Sequence, residues 1–480
     1  MESNIARSET LRKDAFGWLT VVFLVIATNG PLTTLVGGVP IGIAMGNGIG
    51  LPGSYLLVGI LYLLFAAGFT AMSGHVRNAG AFYAYVAHGL GRPLGIGAAF
   101  MAISSYNAIT LVCYAMIGFF ISLALSEHFG VVVPWLVGAL GAILVVHYFA
   151  YRNIQFSGRV LFLLMLCEVA IIVGFDARVI AHGGGVGRFS LAPFAPSTVF
   201  VDGFGPSLAF VVSSYMGFET TAIYAEEVRE PSKAIPRATY AAIVIIMLLY
   251  TVSVWLMMSA YGFSAVLTQA AKDPGNLWFN ITASLMGPAA ADVTGVLMLT
   301  SLLAALVSFN NTTVRYWFTL GREGVAWRWL ARVHPVQKTP HVAATLQTGM
   351  MMLFTIFCAA LTLDPMQVIV PYLAVPSAVG IVAVQALTGI AVIAFFWRDA
   401  RDVSLWRRTV APALSVVGLT ACLYQMIVHV TAMTGSDTLV VRLLPWLTPC
   451  VALLGVGFAY WLKHARPMIY SRLGELLNET

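Results

Sequence analysis

Two carboxylates stand where carboxylates are costly. Glu168 lies inside LFLLMLCEVAIIVGF, ten residues after Gly158 and eight before Asp176, and Glu219 lies in the apolar run that starts at Phe210. A charge held at membrane depth is expensive and usually has a task, such as carrying a proton, binding an ion or moving with a gate. Glu168 is therefore a candidate proton carrier, with a bound cation as the alternative. A structural role, accepting hydrogen bonds from a neighbouring helix, competes for both glutamates.

A second group of residues is polar or small rather than charged. Phe210 to Arg237 reads FVVSSYMGFETTAIYAEEVREPSKAIPR, in which Ser213, Ser214 and Gly217 interrupt an apolar helix before an acidic, proline-bounded turn. The first apolar run is interrupted in the same way by Thr28-Asn29-Gly30-Pro31-Leu32-Thr33-Thr34, with Gly37 and Gly38 close behind. Pro31 has no N–H and frees the carbonyl of Ala27. In a bilayer such freed groups must be met by protein, water or a bound solute, so breaks occur beside cavities. The start of a half-helix presents unpaired N–H groups and about half a positive charge, which suits Thr33 to Gly38 to a carboxylate. Carbonyls around Ser213 to Met216, with the two serine hydroxyls, suit an ammonium group. Together the breaks would read both ends of a zwitterion. Close helix packing explains any one of these glycines taken singly, but not two matched breaks.

The other reactive side chains offer less. Tyr106 in mid-span and Tyr215 inside the second break could face a solute, with core packing as the competing reading. His147 and His429 have no clustered partner and are expected to be satisfied structurally. Arg315 is expected to snorkel toward the cytoplasmic interface. Cys113, Cys167, Cys358, Cys422 and Cys450 fall in apolar spans without pairing or metal spacing. His-x-x-x-His, Cys-x-x-Cys and phosphate-loop motifs are absent, which argues against an enzyme, and repeated filter sequences are absent, which argues against a channel.

The elements that position these residues follow from composition. With 59% hydrophobic and 10% charged residues and a mean hydropathy of +0.86, the chain is an all-α polytopic membrane protein. Twelve apolar stretches can each cross about 30 Å of hydrocarbon. They lie near 16–46, 53–74, 95–125, 131–150, 158–181, 200–225, 238–262, 290–318, 341–362, 367–397, 409–433 and 441–462. The polar start and the length of the first run predict that it is retained rather than cleaved as a signal. Of the 26 Lys and Arg residues, 21 are assigned inside, four (Arg178, Arg188, Lys272, Arg442) are assigned outside, and Arg315 near the inner end of span 8 is counted in neither set. That asymmetry places both termini in the cytoplasm, and the net charge of +6 reports topology rather than a nucleic-acid partner.

Span order carries a further expectation. The broken runs are spans 1 and 6, the corresponding members of two five-span units, which is the mark of an inverted repeat with its binding site at the midplane. The expected organisation is a cytoplasmic segment 1–15, a first repeat 16–190, a second repeat 191–400, two additional helices in 401–464 and a cytoplasmic tail 465–480.

Three segments carry a family resemblance. SYMGFETTAIYAEEVREPSKAIPRA resembles the sixth transmembrane segment and following loop of amino acid-polyamine-organocation superfamily permeases. FNNTTVRYWFTLGREGVAWRWLARVHPVQKTPHVA, from Phe309 to Ala343, is similar to the family's eighth segment and loop. NAGAFYAYVAHGLGRPLG, from Asn78 to Gly95, is similar to the loop between its second and third segments. They occur in the family's order across most of the chain. The family usually breaks its first helix at a Gly-Ser/Thr-Gly-like motif, whereas this chain has Pro31-Leu32-Thr33-Thr34 and Gly37-Gly38.

The resemblance implies a LeuT-type five-plus-five fold and secondary transport of an amino acid, an amine or a polyamine. It makes Glu219 similar to a glutamate used in gating or proton sensing. It places Glu168 where proton-coupled relatives often carry a lysine, and Tyr106 in a substrate-facing stretch, Ser104 to Thr110. The expected substrate site is Thr33, Thr34, Gly37, Gly38, Tyr106, Ser213, Ser214, Tyr215 and Gly217, with Glu168 and Glu219 for coupling and gating and no metal. The expected activity is import of an amino acid driven by a proton gradient, with no cofactor. Sodium coupling, amino acid exchange, polyamine or amine import and a transporter-like nutrient sensor are the alternatives. The expected setting is the plasma membrane, as a monomer or homodimer.

Overall fold

The computed structural model describes residues 17–76, 82–151, 154–223, 228–337 and 339–473, without the side chains of 154–161 and 472. The segment 1–15, the tail from 474 on, Asn78 to Ala81, Glu226, Glu227 and Lys338 lie outside the described residues.

Helix follows from composition, because in lipid each backbone group must be satisfied within its own segment. In chain order the principal helices are α1 (Trp18–Asn29), α2 (Val39–Met45), α3 (Leu51–Ser73), α4 (Phe82–Leu90), α5 (Arg92–Phe129), α6 (Trp135–Tyr151), α7 (Ile154–Ala181) and α8 (Phe204–Ser213). They continue with α9 (Thr220–Ile223), α10 (Pro231–Tyr261), α11 (Leu277–Met286), α12 (Pro288–Arg322), α13 (His341–Ala360), α14 (Val370–Arg398), α15 (Ala411–Val428) and α16 (Leu439–Ala465). Among the described residues, nine helical stretches are long and apolar enough to cross a membrane. Three further expected spans correspond to the 17-residue α6, to α7, and to the broken pair α8 and α9.

The 38-residue α5 is the axis of the bundle, packing against α4, α6, α12, α14 and α16. Its length of about 57 Å, at 1.5 Å per residue, exceeds the hydrocarbon thickness and lets it reach both ends of the protein. Small residues bring the helices together: a Cβ on Gly455 would lie 3.0 Å from Gly97 Cα, so α5 and α16 touch backbone to backbone. The outward faces are apolar, as Leu443, Trp446, Leu453 and Leu454 of α16 illustrate.

The two expected breaks are present. After Asn29 the chain turns at Gly30, whose φ is 54° and whose N–H donates to the Ala27 carbonyl at 3.2 Å. That bond takes up the carbonyl that Pro31 cannot serve. Residues Thr33–Gly38 then wind as a π-helix before α2 resumes the α-helical repeat. In the second break α8 stops at Ser213, residues 214–219 form turns, and α9 begins at Thr220. The hydroxyls of Ser213 and Ser214 donate to the carbonyls of Ala209 and Phe210, competing for acceptors at the helix end. Gly217 has φ +113°, a conformation that favours glycine.

Candidate functional site

Between the two breaks lies a cavity of about 80 Å³. Its polar lining comes from Thr28, Asn29, Thr33 and Thr34 at the first break and from Ser213 and Ser214 at the second. Gly37 and Gly38 complete the first side. The remainder of the wall is apolar, with Ile109, Val112, Cys113 and Met116 from α5, Phe210 from α8, Phe309 from α12 and Val370 and Ala374 from α14. No charged residue lines it. A larger groove of about 600 Å³, between α3, α8 and α15, is bounded by Leu57, Ile60, Leu61 and Phe204. It lies apart from the breaks, and the smaller cavity is the one that residues of both breaks surround.

Six of the nine expected binding residues, Thr33, Thr34, Gly37, Gly38, Ser213 and Ser214, thus meet at one cavity. The other three stand behind it. Tyr106 is fully buried and its hydroxyl donates to Glu219 Oε1 at 2.5 Å. Tyr215 points to α3, where its hydroxyl donates to the Tyr55 carbonyl at 2.6 Å. Gly217 packs on the first break: a Cβ there would lie 2.5 Å from Thr28 Cγ2.

Glu219 closes the second break. Its Oε2 accepts the Gly217 N–H at 3.0 Å while Tyr106 holds Oε1, so the carboxylate satisfies the turn that interrupts the helix. Tyr62 and Tyr316 lie close enough to act on it electrostatically.

Glu168 is 1% exposed and sits at the first break. The Ser301 hydroxyl and the Leu32 backbone N–H both act on its carboxyl, and Oε2 has no hydrogen-bond partner among the described residues. Ser301 also receives the Thr33 N–H at 3.4 Å and the Thr33 hydroxyl at 3.3 Å. One helical step further, the hydroxyls of Thr28 and Ser308 hydrogen-bond to each other.

Several of these residues escape the sequence reading. Ser301 and Met116 had no role there, and Thr28 and Asn29 entered only as part of the interrupted run. A signal exists in α12, where Thr294, Ser301, Ser308 and Arg315 recur every seventh residue and are all buried, marking one polar face. Arg315 departs from its expected position: it is 4% exposed, inside the protein rather than snorkelling, because that face of α12 packs against other helices. His147 and His429 are satisfied as expected, by Thr348 Oγ1 at 2.9 Å and the Gln425 carbonyl at 3.0 Å. All five cysteines are free.

The chain is similar in sequence to known transport proteins. The chain is 23% identical over 318 residues to the branched-chain amino acid permease BcaP of Bacillus subtilis, covering 62% of this chain and 66% of the relative. It is 25% identical over 311 residues to the methylthioribose transporter of the same species, covering 62% and 65%. It is 30% identical over 172 residues to the chloroplastic cationic amino acid transporter 7 of Arabidopsis thaliana, covering 34% and 27%. The aligned part thus spans just under two thirds of each Bacillus relative. The family profile described as amino acid permease matches residues 21–469. From helical bundle to paired breaks, the chain belongs to the amino acid permease family, whose members are membrane transporters rather than enzymes.

Proposed function

We propose that the protein imports a small or medium neutral amino acid across the plasma membrane by proton symport. Twelve spans, ten of them in a five-plus-five inverted repeat, alternate access to the cavity between the breaks, and both termini face the cytoplasm. The uncharged cavity carries the choice of substrate. Backbone groups and hydroxyls at its two ends suit a zwitterion, and the apolar wall of Ile109, Val112, Met116 and Phe210 suits an aliphatic side chain. A polyamine would need a carboxylate at each end, and neither Glu168 nor Glu219 lines the cavity. The names of the branched-chain relatives agree with an aliphatic substrate.

Proton coupling is supported by Glu168, a carboxyl buried beside the moving break with one oxygen unpartnered. Sodium would need several oxygen ligands, and the Thr28 and Ser308 hydroxyls are engaged with each other. The test is uptake into proteoliposomes. Leucine, isoleucine or valine should accumulate as external pH falls, without sodium, and a protonophore should abolish accumulation. Glu168→Gln should keep counterflow and lose accumulation. Sodium-dependent, protonophore-insensitive uptake would overturn the coupling, uptake of putrescine alone would overturn the substrate, and binding without counterflow would mark a sensor.

A further inference from the structure

The N–H groups released by the first break are already turned toward protein. Pro31 has none, that of Leu32 acts on the Glu168 carboxyl, that of Thr33 donates to Ser301 Oγ, and that of Thr34 donates to the Gly30 carbonyl at 3.0 Å. The start of the second half-helix carries about half a positive charge. It therefore faces one carboxylate, and that carboxylate belongs to the chain itself. A solute carboxylate arriving at Thr33 and Thr34 meets a site that is electrostatically filled.

We propose that Glu168 stands in for the solute's carboxylate when the cavity is empty, and that an incoming amino acid displaces it as the neutral carboxylic acid, so that one proton is taken up with each solute bound. This rests on the amino acid reading above. The half-charge of one helix end offsets only part of one carboxylate's charge, and two negative groups beside it in a buried setting repel each other, so protonation of Glu168 relieves the conflict. The proton stays on Glu168 while the solute carboxylate faces the helix start from the cavity at Thr33 and Thr34. When the solute leaves, the carboxyl releases its proton and returns to the helix end. Binding and protonation become one event, without a separate ion site.

Few other groups could supply that proton change. Of the helices packed against α7, α1 and α11 contain no titratable side chain. From α10, Tyr250 faces Glu168, while Lys233 and Arg237 lie at the far end of that helix. On α12, Ser301 is the neighbour, with Asp292 nine residues before it and Arg315 fourteen after it. On α6, His147 is bonded to Thr348. On α7 itself, Asp176 is eight residues away and receives the Ser253 hydroxyl at 2.7 Å.

The test measures protons rather than transport. The full chain, purified in detergent and weakly buffered with a pH-indicator dye, is mixed with leucine or with its decarboxylated counterpart 3-methylbutylamine. About one proton per bound leucine should disappear from solution. Leucine affinity should fall about tenfold per pH unit wherever Glu168 is ionised before binding, as linkage requires. Glu168→Gln should bind leucine without proton uptake and without that pH dependence, and 3-methylbutylamine should bind the wild-type protein with no proton uptake. Leucine binding to the wild-type protein without proton uptake overturns the proposal while leaving the amino acid reading standing, and so does proton uptake that persists in Glu168→Gln. Failure of leucine and every other amino acid to bind overturns both readings.

Discussion

Met116 and Gly37 set the size of the cavity at the scale of single residues. A Cβ on Gly37 would lie 2.2 Å from the Met116 Cε, the free end of a flexible side chain. Gly37→Ala should therefore fold and push Met116 across the cavity, lowering uptake of leucine and isoleucine roughly tenfold more than uptake of alanine. Met116→Ala in the same protein should restore the larger substrates. Competition assays with a series of amino acids would check this, and equal loss for all substrates would contradict it. The polar half of the cavity was legible in the sequence because Pro31 and the Ser213-Ser214 pair visibly break apolar runs. The apolar half was not, since Met116 and Val112 are two of many aliphatic residues on α5. Which of them face the cavity depends on neighbours far along the chain. Tyr106 shows the same limit: its depth was readable, but its partnership with Glu219 across 113 residues was not.

The second break, at the scale of elements, depends on Gly217. Its φ of +113° and the 2.5 Å approach to Thr28 Cγ2 leave no room for a side chain, so this turn and the first break hold each other in register. Gly217→Ala should cost about 1–2 kcal/mol for the left-handed backbone alone, with added strain at Thr28. It should lower the thermal midpoint in detergent and reduce uptake, and Thr28→Ala should recover part of both. A Gly217→Ala protein as stable as the wild type would show that the turn relaxes freely. The sequence announced this break through an odd run of small residues and located it within a few positions. The clasp between the breaks was hidden, because it arises from packing between residues 189 positions apart, Thr28 and Gly217.

Charge asymmetry and helix order make one prediction for the whole molecule. Reporter tags at Met1 and after Thr480 should be cytoplasmic, and a tag near Lys272 should be external; cytoplasmic labelling near Lys272 would invert half the expected topology. At the end of the bundle that carries α4, the Tyr83 hydroxyl donates to Glu323 just beyond α12. On the alternating-access reading, Tyr83→Phe should leave leucine affinity within about twofold and speed exchange, because a contact between α4 and the end of α12 is gone. Unchanged exchange would mean that this contact does not limit the movement. The helical class was legible, since composition alone decides it in a bilayer, and among the described residues nine stretches are long and apolar enough to cross one. The seventh-residue polar face of α12 was also written in the sequence, yet only the packing of α7 and α1 against that helix makes it readable as part of the site.

The π-helix at Thr33–Gly38 gives the first break a residue to spare. A π-turn closes its hydrogen bonds over five residues instead of four, so the segment holds one residue more than an ordinary helix of the same reach. The extra residue re-aims the side chains around it without rotating the helix beyond. Removing Val36 should therefore let the segment close as an ordinary α-helix: α2 would keep its present faces, the protein would still reach the membrane, and the wall of the cavity would change shape. A deletion at the equivalent depth of α3 would turn every later residue of that helix by about 100°, and should abolish folding. Comparing surface expression of the two deletions would separate a segment with a residue to spare from a rigid frame.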